Sequence, residues 1–269
     1  MTFSIVSVVA ALLLLAVPAY VLFRFEPMLL QRFCKSFARM LVQLGILGVL
    51  LWYLWRVDSV WVTLLALVAL SALSAFVSLL RARLRCGMLF LPVFIGMLVG
   101  VAVVSTYLVL AVIRPEHPFA VRWMLPVGGI LLMHTLTTNT HGLSAYYGAL
   151  RSDGLSYLTQ LGNGSGRLLA LTPYVKKALR AMLEPTVSHV SSLGLFGLPM
   201  LLSAMLVGGL QPVEAVFLFV VLIAASVCAS VISMLVTLFL ADRYTFDKRG
   251  ELLQVEPPVD TSQNVDKGQ

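Results

Sequence analysis

Charge is what this 269-residue chain has least of. Asp, Glu, Lys and Arg together make up 12% of it, against 59% hydrophobic residues, and the mean hydropathy is +0.95. A soluble fold of this size could not cover its apolar surface with so few polar side chains. Cysteine is nearly as scarce. Cys34, Cys86 and Cys228 stand far apart with no C-x-x-C pair, which excludes a disulfide framework and a zinc ribbon. Phosphate-binding signatures are missing too. In "LGNGSGR", Leu161–Arg167, Gly166 is followed by Arg167 and Leu168, not by the Lys-Ser/Thr of a Walker A loop. The dinucleotide pattern G-x-G-x-x-G fails where Arg167 stands in place of its third glycine.

What is present is a series of apolar runs long enough to cross a bilayer. Seven spans are read: Phe3–Phe23, Met40–Trp55, Val60–Leu80, Met88–Ile113, Trp123–Leu150, Leu183–Leu210 and Val213–Leu240. The fold class is therefore all-α and polytopic, with a transmembrane domain over 1–240 and a polar, proline-containing tail over 241–269 expected to be disordered. The sixth span is interrupted by Gly194, Gly197 and Pro199, so a kink or a partial crossing is expected there. The first lacks a basic leader and an A-x-A site, and reads as a retained anchor rather than a cleaved signal.

Lysine and arginine sort by segment. Those following the first, third, fifth and seventh spans hold Arg24, Arg32, Lys35, Arg39; Arg81, Arg83, Arg85; Arg151, Arg167, Lys176, Lys177, Arg180; and Arg243, Lys248, Arg249, Lys267. The intervening segments hold only Arg56, Arg114 and Arg122. This positive-inside asymmetry predicts an outside N-terminus and a cytoplasmic C-terminus, in a cell (inner or plasma) membrane. The net charge of +7 is thus a topology signal, and nucleic acid is not expected as a partner.

The richest cytoplasmic segment, 151–182, has internal order. Leu155, Leu158 and Leu161 recur at three-residue spacing, which predicts one apolar face of a short helix. Thr172 and Pro173 read as an N-cap and first-turn proline of a second helix. Val175, Leu179, Met182 and Leu183 would line its apolar face, with Lys176, Lys177 and Arg180 turned away. Spacing leaves two readings open: a helix resting on anionic headgroups, or one presented to a cytoplasmic partner.

From Arg180 to Val213 the chain resembles the FetB family of ABC-transporter permeases, bacterial metal exporters with plant relatives linked to aluminium tolerance. The residues that carry the likeness are Arg180, Leu183, Pro185, Thr186, Val187, Gly194, Leu198, Pro199, Ser203, Gly209, Pro212 and Val213. Arg39, Gln43, Leu44 and Gly48, the run Leu125–Gly129 and the pair Leu161-Gly162 extend it, over roughly residues 30–245. The resemblance implies a permease working as a homodimer with two ATP-binding subunits. These subunits would carry ATP and Mg, so no cofactor and no enzymatic activity are expected of this chain. It also implies a short helix coupling to that ATPase, through Leu155, Leu158, Leu161, Gly162 and Arg167. The chain departs from the family at Ser188 and Ser191, where an aspartate and a lysine are usual, and at Met133-His134, Gln211 and Glu214.

Polar side chains inside a span face a bundle interior, a cavity or a partner. His134, Asn139, His141, Ser188, His189 and Ser192 are accordingly the candidate lining of a translocation path, with imidazoles that suit a soft or borderline metal ion as cargo. His134 and His141 share a helix face but lie about 10 Å apart along it, too far to chelate one ion together. The plainer reading is hydrogen bonding between packed helices. Two rival classes stand beside the permease. A stand-alone receptor, scaffold or degenerate permease is one. The other is an intramembrane serine protease using Ser144, in "HGLSA", and His189; its G-x-S element is a weak signal in a serine-rich helical chain.

Overall fold

The computed structural model describes residues 18–245 apart from 58, 165 and 194–199 and the side chains of 192 and 193. Every regular element among the described residues is helical, so the all-α expectation holds. The chain divides into two compact units, 1–57 and 58–269.

In the first unit, helical residues 18–25 lead through Glu26 into α1, Pro27–Val57. Pro27 suits a first helical position, where its missing N–H costs nothing. The helix starts thirteen residues before the expected Met40, so Arg32, Lys35 and Arg39 ride on its first turns instead of forming a loop. Near its end the Arg56 guanidinium stacks on the Trp52 ring, 4.6 Å from its centroid. The first expected span falls mostly on residues outside the described set.

The second unit begins with α2, Val60–Ala82, which ends in a left-handed Arg83 at φ 55°. The N–H groups of Arg83 and Leu84 turn back to the carbonyls of Leu80 and Leu79, satisfying groups the helix end would otherwise orphan. Then come α3, Cys86–Tyr107, continued as a π-helical turn over Leu108–Ile113, and α4, Val121–Ser152. A short α5, Gly154–Gly162, precedes α6, Arg167–Leu193; α7, Met200–Val207, and α8, Pro212–Thr245, complete the unit.

Four described helical stretches are long and apolar enough to cross a membrane: Pro27–Val57, Val60–Ala82, Cys86–Ile113 and Pro212–Thr245. With 32 residues α4 has the length as well, but its His134–Ser144 stretch keeps it below their apolarity. The sixth expected span is not one helix: α6 ends at Leu193 and α7 begins at Met200. Gly194, Gly197 and Pro199 lie in the undescribed stretch between them. At the other end α8 runs on to Thr245, five residues into the expected tail, and 246–269 lie outside the described residues.

Small residues let α3 and α8 approach closely. A Cβ on Gly96 would meet the Thr237 hydroxyl and stand 2.7 Å from the Ser233 carbonyl; one on Gly100 would stand 2.6 Å from the Ala229 carbonyl. This is the small-xxx-small packing that brings membrane helices together without a hydrophobic driving force. Asn139 on α4 donates to Ser233 Oγ on α8 at 2.8 Å, both side chains fully buried. A second polar tie joins Ser78 on α2 to Thr140 on α4, 3.1 Å apart.

The second helix of the 151–182 segment corrects the expected boundary. α6 starts at Arg167, and Thr172 is no cap: its hydroxyl bonds the Leu168 carbonyl within the helix at 3.0 Å, with Pro173 inside the first two turns. The caps of Gly166, whose carbonyl receives the N–H groups of Leu169 and Ala170, take the role assigned to Thr172. The expected apolar face is real, yet it does not lie on headgroups. Ala170, Leu171, Tyr174, Ala178 and Met182 are buried in the protein core, with Val175, Leu179 and Leu183 packed against it. Lys176, Lys177 and Arg180 point outward as expected.

Candidate functional site

Three of the four histidines in the chain come together around one open pocket of about 900 Å³ between α4, α6, α7 and α8. On α4 its wall is a single stripe: Gly129, Ile130, Met133, His134, Thr137, Thr138 and His141 recur at helical spacing. Facing it, α6 presents Met182, Pro185, Thr186, His189 and Val190, while α7 gives Leu201 and α8 gives Phe219, Ile223 and Ser226. His134 Nε2 is buried and has no hydrogen-bond partner among the described residues. Thr138 satisfies its hydroxyl on the carbonyls of His134 and Thr135, which leaves its oxygen lone pairs and methyl group to face the pocket.

The six candidate path residues divide. His134, His141 and His189 line the pocket. Asn139 does not: it is wholly buried and spends its amide on Ser233, so it acts as helix-to-helix glue. Ser188 is exposed and accepts through its backbone carbonyl from the Ser191 hydroxyl at 2.8 Å, and the side chain of Ser192 lies outside the described residues. Thr186 marks the family likeness in the sequence but not the path, and Ser226 lies in an apolar stretch of α8 where only the neighbouring helices show that it faces the pocket. No group of three or more His, Cys, Asp or Glu among the described residues is arranged to hold a metal ion, in keeping with the axial separation of His134 and His141. Ser144, the nucleophile of the protease alternative, is exposed and does not line the pocket that His189 lines.

The 151–182 segment is seated on the bundle. Tyr157 is the buried residue of α5, edge-on to Tyr174 of α6 with ring centroids 6.4 Å apart, and Leu161 packs against the same core. Tyr174 donates its hydroxyl to the Asp153 carbonyl at 3.0 Å, and Lys177 pairs with the Asp153 carboxylate at 3.0 Å. Burial raises the pKa of both tyrosines, Arg167 opposing the rise at Tyr157 while Asp153 adds to it at Tyr174. The expected leucine face is therefore divided. Leu161 turns inward, whereas Leu155 is 83% exposed and Leu158 38%. Nearby, Leu168 and Leu169 are exposed as well. Gly162 is exposed at the end of α5, and Gly164 adopts φ +83°, a conformation open to glycine at no steric cost. Arg167 is engaged internally, with Asp242 of α8.

Residues 5–246 match the model of the uncharacterised protein family UPF0014. The chain belongs to this family. Its similarity extends to the protein ALUMINUM SENSITIVE 3 of Arabidopsis thaliana, 27% identical over 55% of this chain and 54% of that one. The UPF0014 membrane protein slr1647 of Synechocystis sp. is 23% identical over 55% of this chain and 57% of its own length. The UPF0014 membrane protein STAR2 of Oryza sativa subsp. japonica is 26% identical over 51% and 48% respectively. The chain thus spans about half the length of these relatives in the aligned regions. No solved structure matches it. Membership and the aluminium-related relative agree with the likeness to FetB-type permeases drawn from the motifs, and the apolar helices and the membrane-protein relatives make it a multi-pass membrane protein.

Proposed function

We propose that this chain is the membrane-spanning permease subunit of an ABC transporter. It works as a homodimer with two copies of a separate ATP-binding subunit, which bind ATP and Mg and hydrolyse the nucleotide. It exports a metal ion such as iron, or another small solute, across the cell membrane through the histidine-lined pocket. The observation that carries this reading is the seating of α5: a nine-residue helix anchored by Tyr157 and Leu161, yet leaving Leu155 and Leu158 exposed. Exposed leucines on a short, firmly based helix suit insertion into a groove on a partner, which then moves the helices behind it. That base connects directly to the pocket, because α6 carries both the packing against α5 and the pocket residues Met182 to Val190.

The test is purification in mild detergent and in nanodiscs, with the ATPase activity of whatever co-purifies. Wild type is compared with Leu155→Glu/Leu158→Glu, whose exposed positions leave the core untouched. The expected result is a nucleotide-hydrolysing subunit near one-to-one with this chain, lost in the variant. Absence of any such subunit under all these conditions would sink the permease reading.

A further inference from the structure

The pocket is graded along its length, and the grading bears on what it binds. Tyr174 bonds to Asp153, and Met182 Cβ lies 3.4 Å from where a Cβ on Gly142 would stand, so α4 and α6 run antiparallel. His189, seven residues beyond Met182, is then about level with Thr135, seven before Gly142, hence beside His134. α8 runs parallel to α4, with Ser233 at Asn139 and Met234 at Gly142. By the same register Ser226 stands near the level of His134, and Ile223 and Phe219 near Gly129 and Pro126. The half from His134 to His141 therefore gathers three imidazoles and the hydroxyls of Thr137, Thr138 and Thr186. The half from Pro126 to Ile130, with Leu201, Phe219 and Ile223, is apolar over about 6 Å of helix.

A small hydrated cation has no use for the apolar half. None of the described residues that line the pocket is acidic, so the polar half offers a cation no counter-charge. Thr137, Thr138 and Ser226 spend their hydroxyl protons on backbone carbonyls. Imidazole N–H groups and the Thr186 hydroxyl can instead donate to an acceptor head group, and the buried His134 Nε2 has no partner among the described residues. Taking the pocket as the solute site of the permease proposed above, we propose that its ligand is an amphiphilic organic anion. Its carboxylate or similar head lies between His134 and His189, and its apolar body lies against Ile130, Phe219 and Ile223.

The probe is a photoreactive diazirine analogue of decanoate, applied to the full chain in nanodiscs and mapped by peptide mass spectrometry. Labelling is expected on α4 between 126 and 141 and on α6 between 182 and 190. Unlabelled decanoate competes, and decyltrimethylammonium, the cation of similar length, does not. His134→Leu with His189→Leu weakens competition by decanoate about tenfold, the loss of roughly one good hydrogen bond to a charged group. Ile130→Trp, which fills the apolar half without touching a histidine, abolishes labelling and guards against a folding defect in the double variant. Equal competition by the cation overturns the proposal, as does labelling confined to other helices, or ferrous or zinc ions bound by the same histidines to the exclusion of decanoate. No ATP-binding subunit takes part here. An ATPase partner without decanoate labelling would therefore sink this inference alone, and labelling without such a partner would sink only the permease reading.

Discussion

Arg167, in the first turn of α6, lies 3.0 Å from the carboxylate of Asp242 near the end of α8, and its Nη2 also donates to the Asp242 backbone carbonyl at 2.8 Å. The pair is half-buried, with side chains 36% and 23% exposed. It ties the segment after α5 to the last helix, which are far apart in the chain. Arg167 thus acts behind the exposed leucines, as part of the base that holds them.

Removing this clasp should cost more than an exposed ion pair would. For Arg167→Ala the expected loss is about 1–3 kcal/mol, that of hydrogen bonds from a charged donor, read as a lower unfolding midpoint in detergent and faster proteolysis at 163–166. Exchanging the charges, as Arg167→Asp with Asp242→Arg, should restore only part of it, because the bond to the Asp242 carbonyl does not return. An unchanged midpoint and unchanged proteolysis in Arg167→Ala would show the contact to be incidental.

Close packing of α3 on α8 makes the opposite kind of prediction. Gly96→Val and Gly100→Val each drive a side chain into backbone of α8, where the nearest carbonyls already stand 2.7 and 2.6 Å from a mere Cβ. Overpacking of this sort costs about 1–3 kcal/mol or more. The expected outcome is a large loss of folded, monodisperse protein. Gly129→Ala on α4, where a Cβ meets nothing within 4 Å, should be tolerated. Equal yields for all three variants would overturn the small-residue account.

Orientation follows from the arginine and lysine count and can be checked directly. With Cys34, Cys86 and Cys228 replaced by serine, Glu116→Cys sits between α3 and α4, and Asn163→Cys sits at the end of α5. An impermeant maleimide should reach the first from outside intact cells, and the second only after permeabilisation. The reverse pattern would invert the topology.

Apolar runs and helical periodicity were enough to establish an all-α membrane chain, to find a short helix around Leu155, Leu158 and Leu161, and to place His134 and His141 on one face. These properties are local: a run of apolar residues needs no partner to be helical in lipid, where every backbone group must be satisfied within the segment. Periodicity also found the inward face of α6, though not its start, because the Thr172-Pro173 pair mimics a cap that Gly166 supplies instead. Which neighbour each face meets was decided only by the tertiary structure. Asn139 and His141 look alike as polar residues in a span, yet one is consumed by Ser233 and the other opens onto the pocket. His189 lines the same pocket as His134, and Arg167 reaches Asp242, across separations in the chain that hydropathy does not register. The reason is physical: in a bilayer, lipid and protein present nearly the same apolar surface, so sequence hydrophobicity marks what lies in the membrane but not what lies against what.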